Sequence, residues 1–86
     1  MSTAPIRWQK GGEAELVLLV GDLVTLRSTI PSAPGSRPEA TLQSGSAFKV
    51  KVARCRRDEA AFLIEGRLID TTRAVRIELE ALAPKP

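Results

Sequence analysis

Histidine and tyrosine are absent from this sequence of 86 residues, and aromatic side chains make up only 3% of it. The single cysteine, Cys55, excludes a disulfide within the chain. Without histidine, a Ser-His-Asp triad and a histidine metal site are also excluded. We therefore expect no cofactor and no metal, and we expect a binding or interaction module instead of an enzyme.

Long apolar runs are missing as well. The longest, residues 16–20, is far shorter than the roughly 20 residues that a membrane-spanning helix needs, and the N-terminus lacks the charged-then-apolar order of a signal peptide. The sequence therefore predicts no membrane insertion and a cytoplasmic location. A domain of this size buries only about 60 to 65% of the surface that its unfolded chain exposes. A homodimer that adds burial is a further hypothesis.

Alternating apolar residues give the clearest strand signal. In residues 47–54, Phe48, Val50 and Val52 fall on one face of a predicted strand. Residues 61–69 alternate in the same way, and the polar residues 56–59 between the two segments predict the turn of an antiparallel hairpin.

Further strands are predicted nearer the N-terminus. Residues 16–20 and 23–26 form two short strands, or one strand bent at Gly21. A short strand is also predicted within residues 5–9, where burial of Trp8 would hold the terminus against the domain. The Pro- and Gly-rich residues 30–46 are predicted to form a loop that faces a ligand or partner, with a short strand near its end.

The last segment is ambiguous. Val75, Ile77 and Leu79 alternate as in a strand, whereas Val75 and Leu79 also have helical spacing after the potential caps Thr71 and Thr72. We favour a strand over residues 75–80.

These elements predict a mainly β fold, a small antiparallel β-barrel of five to six strands, with a short C-terminal helix as the alternative for the last segment. Closure of the barrel would remove the exposed edges of so small a sheet. The predicted organisation is a tail or short strand over residues 1–14, one barrel domain over residues 15–82 and a disordered end over residues 83–86.

A cluster of cations is the most conspicuous candidate site. Five cations and no acid occur within residues 49–57: Lys49, Lys51, Arg54, Arg56 and Arg57. On one face of a hairpin they could bind phosphates or an acidic partner, or they could simply form a solvated face. Nucleic-acid binding is disfavoured, because Phe48 and Phe62 fall in core registers and leave few aromatic side chains to stack on bases.

Catalysis is also disfavoured. Neighbouring arginines could activate the Cys55 thiol, but a thiolate enzyme needs a positioned base and no histidine is present. A buried, unreactive cysteine is the preferred interpretation. The remaining candidate groups are Asp22, Asp58, Glu59, Glu65 and Asp70.

Over residues 21–82 the order of features resembles the PilZ family of bacterial signalling domains. The resemblance is carried by the Gly21-Asp22-Leu23-Val24-Thr25-Leu26 segment, the Pro34-Gly35 loop, the Phe48-Lys49-Val50-Lys51-Val52 strand with Arg54-Cys55-Arg56-Arg57, and Phe62-Leu63-Ile64-Glu65-Gly66-Arg67. It implies a six-stranded barrel, often with a C-terminal helix, and a cytoplasmic role in cyclic di-GMP signalling or in protein contacts that control motility or surface behaviour.

The family's ligand signatures are missing or altered in this chain. No Arg-x-x-x-Arg segment occurs, and Asp70-Thr71-Thr72 followed by Val75 has Thr and Val where the second signature has Ser and Gly. We therefore carry over no ligand residue. The sequence favours a non-enzymatic PilZ-like adaptor that acts through protein contacts, with a receptor for cyclic di-GMP, another phosphate-bearing ligand or nucleic acid as the alternative.

Overall fold

A computed structural model describes residues 5–83 as one closed antiparallel barrel with a helix at its C-terminal end. The strand order around the barrel is β1-β2-β3-β6-β5-β4. This confirms the prediction of a mainly β fold with a small antiparallel barrel. The elements are β1 (Ile6–Trp8), β2 (Glu13–Val20), β3 (Leu23–Ser28), β4 (Glu39–Leu42), β5 (Ala47–Asp58), β6 (Ala61–Ile69) and α1 (Arg73–Leu82).

The barrel interior is filled by every second residue of the strands, as the pleat of a β-strand requires. Phe48, Val50 and Val52 of β5 are all buried, which confirms the face predicted for that strand. In β6, Ile64 and Leu68 are buried, whereas Phe62, nearer the hairpin turn, is only half-buried. The core residues are Ile6, Trp8, Ala14, Leu16, Val24, Leu26, Ala40, Leu42, Phe48, Val50, Val52, Ile64, Leu68, Val75 and Leu79.

The first strand closes the barrel. β1 pairs with both β2 and β4, so the short strand predicted near Trp8 is a full member of the sheet. Trp8 is only 3% exposed, which confirms the expected burial of this side chain. The barrel therefore begins with β1, before the boundary at residue 15 that the sequence suggests.

Residues 16–28 form two strands and not one bent strand. Val20 pairs with Leu23 across the two-residue turn Gly21-Asp22. Gly21 has a φ of 60°, and a positive φ at the first turn position is where type II′ hairpins favour glycine.

The strand predicted for residues 75–80 is wrong, because these residues belong to helix α1. The Thr72 side chain caps the helix by accepting a hydrogen bond from the Val75 amide at 3.3 Å. Val75 and Leu79, one helical turn apart, are buried in the core, whereas Ile77 is 57% exposed. A strand would have placed all three on the same face. The disordered end predicted for residues 83–86 lies outside the described residues beyond Ala83.

The predicted turn at residues 56–59 is also wrong. β5 continues to Asp58, and only Glu59 and Ala60 connect it to β6. The register of the pair shifts between Val52 and Arg54, which leaves Ala53 as the extra residue of a β-bulge.

Candidate binding groove on the outer face of the barrel

Three large apolar side chains are exposed where β2 and β3 meet at their hairpin. Leu18, Val20 and Leu23 are 53%, 60% and 55% exposed. Leu16 is buried, whereas Leu18, two residues later, lies on the outer face. The two side chains face opposite ways because the register of β2 shifts between them. Val20 and Leu23 are direct cross-strand partners, so the three side chains form one patch.

This patch is one side of a groove of about 720 Å³ on the exterior of the barrel. The opposite side comes from β5 and β6. We call this depression the outer groove; its lining includes Leu18, Val20, Leu23, Lys51, Glu65 and Arg67.

The pairing registers align four side chains in a single row across the groove. Lys51 of β5 pairs with Arg67 of β6, Arg67 pairs with Leu23 of β3, and Leu23 pairs with Val20 of β2. Neighbouring strands lie about 4.8 Å apart, so this row spans about 14 Å. Two cations thus occupy one end of the row and two apolar side chains occupy the other.

The carboxylates near the groove are held by cations outside that row. Glu65 forms an ion pair with Arg54 at 3.8 Å. Asp22, in the turn between β2 and β3, accepts a hydrogen bond from Arg76 of α1, which also donates to the Gly21 carbonyl. The hydrogen bond from Arg76 and its positive charge lower the pKa of Asp22 below its usual value, and the charge of Arg67 lowers it further.

The five predicted cations of β5 lie in three places, two of them before the bulge at Ala53 and one beyond it. Lys51 lines the outer groove, whereas Lys49 lies beside a separate, smaller depression. Beyond the bulge, Arg54 pairs with Glu65, and Arg57 Nε donates to a carbonyl in the adjoining turn at 3.4 Å. Arg56 is exposed on the same extension.

The extension of β5 also has one free edge. Within the part of the chain that the structure describes, the backbone of residues 54–58 forms hydrogen bonds with β6 but with no strand on its other side. The loop before β4 follows β5 only as far as Val52, which donates to the Ser36 carbonyl and accepts from Gly35. Cations on an exposed edge hinder pairing with strands of other molecules. This protective role accounts for Arg54, Arg56 and Arg57 without a ligand.

The residues considered for catalysis mostly occupy structural positions. Asp58 pairs with Arg27 at 3.5 Å, and Asp22 and Glu65 are engaged as described above. Cys55 is half-buried against the core, so it is more accessible than the fully buried cysteine that we expected. Over residues 5–83, no group of three or more His, Cys, Asp or Glu side chains is arranged to hold a metal ion.

Sequence reasoning found Lys51 but missed the rest of the groove. In the sequence, Arg67, Leu18, Val20 and Leu23 have the pattern of ordinary strand residues. These residues form a groove only through strand pairing. The sequence alone shows only that Leu23 falls on the opposite face of its strand from Val24 and Leu26.

Comparisons of the chain with protein-family models, with curated proteins and with solved structures gave no match. Among residues 5–83, no helix has the length and apolar character needed to cross a membrane.

Proposed function

We propose that this domain is a non-enzymatic, PilZ-like adaptor of bacterial signalling that binds a protein partner through the outer groove. One observation carries the proposal: Leu18, Val20 and Leu23 lie side by side and are each more than half exposed. A contiguous exposed apolar patch on a small protein is typical of an interaction site. The proposal places the domain in the cytoplasm, as the resemblance to PilZ domains implies.

The shape of the groove favours a macromolecular partner. Pockets for small molecules typically bury about 70 to 90% of the ligand surface. The outer groove lies open on the exterior of a barrel, and Leu18, Val20 and Leu23 in its lining stay more than half exposed. A partner protein can cover all three of these side chains at once.

The alternative function is a receptor for cyclic di-GMP, another phosphate-bearing ligand or nucleic acid. The pairing of Lys51 with Arg67 supports it, because two adjacent cations attract an anion. The aromatic side chains argue against base stacking, since Trp8 and Phe48 are both buried in the core and only the half-buried Phe62 remains. The missing Arg-x-x-x-Arg segment argues against the dinucleotide in particular.

Site-specific photo-crosslinking tests the adaptor proposal. A benzophenone amino acid placed at position 23, in cells that express the protein natively, is expected to give a covalent adduct of defined mass with one partner protein. The reason is that the Leu23 side chain would be covered by the partner. Adducts would be measured by denaturing electrophoresis and mass spectrometry.

Position 77 provides the matched control, because Ile77 is as exposed as Leu23 but does not line the groove. We expect no adduct there. Equal crosslinking at both positions, or none at position 23, would contradict the proposal. An adduct between two copies of this chain would instead show a homodimer formed through the groove.

Calorimetric titration with cyclic di-GMP separates the two functions. We expect no heat of binding, because the family's arginine signature is missing. Affinity in the micromolar range that is lost in Lys51→Ala or Arg67→Ala would establish the receptor instead. For a nucleic acid, the corresponding sign would be a binding constant that falls linearly with salt concentration on logarithmic axes.

A further inference from the structure

The cation pair in the outer groove is the feature that the fold itself leaves unexplained. Lys51 and Arg67 occupy directly opposed positions on β5 and β6, where like charges destabilise a sheet. Among residues 5–83, neither side chain has a carboxylate within the 4.0 Å of an ion pair. Both remain available to an anion from outside the chain.

The charge that has no ion-pair partner at the groove is therefore positive. Glu65, which lines the groove, and Asp22, in the turn before Leu23, are held by Arg54 and Arg76. A second copy of the chain would bring the same cations and the same engaged acids to the interface, so self-association offers no charge complement. A partner that brings its own carboxylates does.

The backbone of the groove limits the form of the partner segment. β2, β3, β6 and β5 are consecutive strands of the barrel, and each row residue between Val20 and Lys51 is already paired. A strand laid over the middle of the row, where Leu23 and Arg67 are already paired on both sides, would leave its own amides unpaired. A helix satisfies its own backbone and contacts the groove through side chains alone.

The spacing of the row fits such a helix. The midpoint between Lys51 and Arg67 lies two strand separations, about 10 Å, from the midpoint between Leu23 and Val20. About seven residues of α-helix cover this distance, and residues seven apart lie on nearly the same face.

We propose that the outer groove binds an acidic amphipathic helix of the partner, with a carboxylate between Lys51 and Arg67 and a leucine-type side chain, about seven residues away, against Leu23 and Val20. This inference rests on the proposed function and specifies the chemistry of the partner.

Two synthetic peptides test the inference. Both have about 18 residues and the same leucines along one helical face, but one has Glu and the other Lys seven residues from each central leucine. With the full chain and fluorescence polarisation of labelled peptide, we expect the Glu peptide to bind about tenfold more tightly than the Lys peptide. The preference should weaken as salt screens the charges.

Charge reversal identifies where the peptide binds. We expect the Lys51→Glu, Arg67→Glu double variant to invert the preference, because the row then attracts lysine. The Lys49→Glu, Arg56→Glu double variant makes the same change in net charge on exposed residues outside the groove, and it should keep the preference for Glu.

Several results would overturn the inference. Binding of neither peptide, or a preference that only the Lys49→Glu, Arg56→Glu variant changes, contradicts it directly. Equal binding of both peptides that is lost in Leu23→Glu would leave the adaptor proposal standing but reject the acidic partner. Binding to phosphatidylglycerol vesicles in place of the Glu peptide would assign the groove to an anionic lipid surface. Failure of the adaptor proposal itself would be seen in a different experiment, as the absence of crosslinking at position 23.

Discussion

Trp8→Ala is expected to lower the free energy of unfolding by about 3–5 kcal/mol, the usual cost of removing a large aromatic side chain from a core. Trp8 lies in the strand that closes the barrel and is almost fully buried. A domain of this length has a total stability of only about 4–13 kcal/mol, so this change removes a substantial fraction of it. Urea denaturation followed by circular dichroism measures the change, since the substitution also removes the only tryptophan.

Part of the stability lost in Trp8→Ala comes from a hydrogen bond of the indole, and a second set of variants can measure that part. The Trp8 indole Nε1 donates to Ser28 Oγ at 2.7 Å, and Ser28 Oγ in turn donates to the Ile30 carbonyl at 2.6 Å. Ser28→Ala would leave the indole N–H buried without an acceptor, at a cost of about 1–3 kcal/mol.

Trp8→Phe removes the donor but keeps most of the apolar contact, so it should cost clearly less than Trp8→Ala. The Trp8→Phe, Ser28→Ala double variant should cost less than the sum of the two single changes, because the hydrogen bond can be lost only once. A cost below about 1 kcal/mol for Trp8→Ala would contradict the view that this side chain closes the barrel.

The strands were predictable where one face is buried and the other is solvated. Phe48, Val50 and Val52 alternate with polar residues, and that period of two is sufficient to define both the strand and its inner face. The same reasoning failed at the C-terminus, where Val75 and Leu79 fit both periods. The helix forms there because the Thr72 cap and the burial of one helical face outweigh the alternation.

The candidate site was less predictable because it depends on strand register. Nothing in the sequence shows that β5 bulges at Ala53, and this bulge separates Lys51 from the arginines that follow it. The alignment of Lys51 with Arg67 and Leu23 joins residues from three strands. A cluster of charges along one segment can be read from a single sequence, whereas a row across several strands requires the pairing.

One glycine in the barrel allows β5 and β6 to approach as closely as they do. A Cβ at Gly66 would lie 2.5 Å from the Lys51 carbonyl oxygen and 2.7 Å from Val50 Cγ1. Gly66 pairs with Val52 on one side and with Val24 on the other, so it is enclosed by strands. The first of these contacts is with backbone, which cannot rotate away as a flexible side chain can.

Gly66→Ala is therefore expected to lower the free energy of unfolding by about 3 kcal/mol, toward the upper end of the usual cost of overpacking a core. Because the clash falls on the Lys51 backbone, the variant should also disturb the row that the outer groove presents. Urea denaturation gives the stability change, and amide chemical shifts of Lys51 and Arg67 report the displacement in whatever fraction remains folded.

Gly21→Ala adds the same methyl group in open space and serves as the control. Its φ of 60° makes alanine strained there, at about 1 kcal/mol, so this variant measures a backbone cost without a steric clash. Gly66 has no such backbone requirement, and its substitution therefore tests space alone. If Gly66→Ala proves no more destabilising than Gly21→Ala, then β5 and β6 can separate by a few tenths of an ångström at little cost, and the alignment of Lys51 with Arg67 does not depend on this glycine.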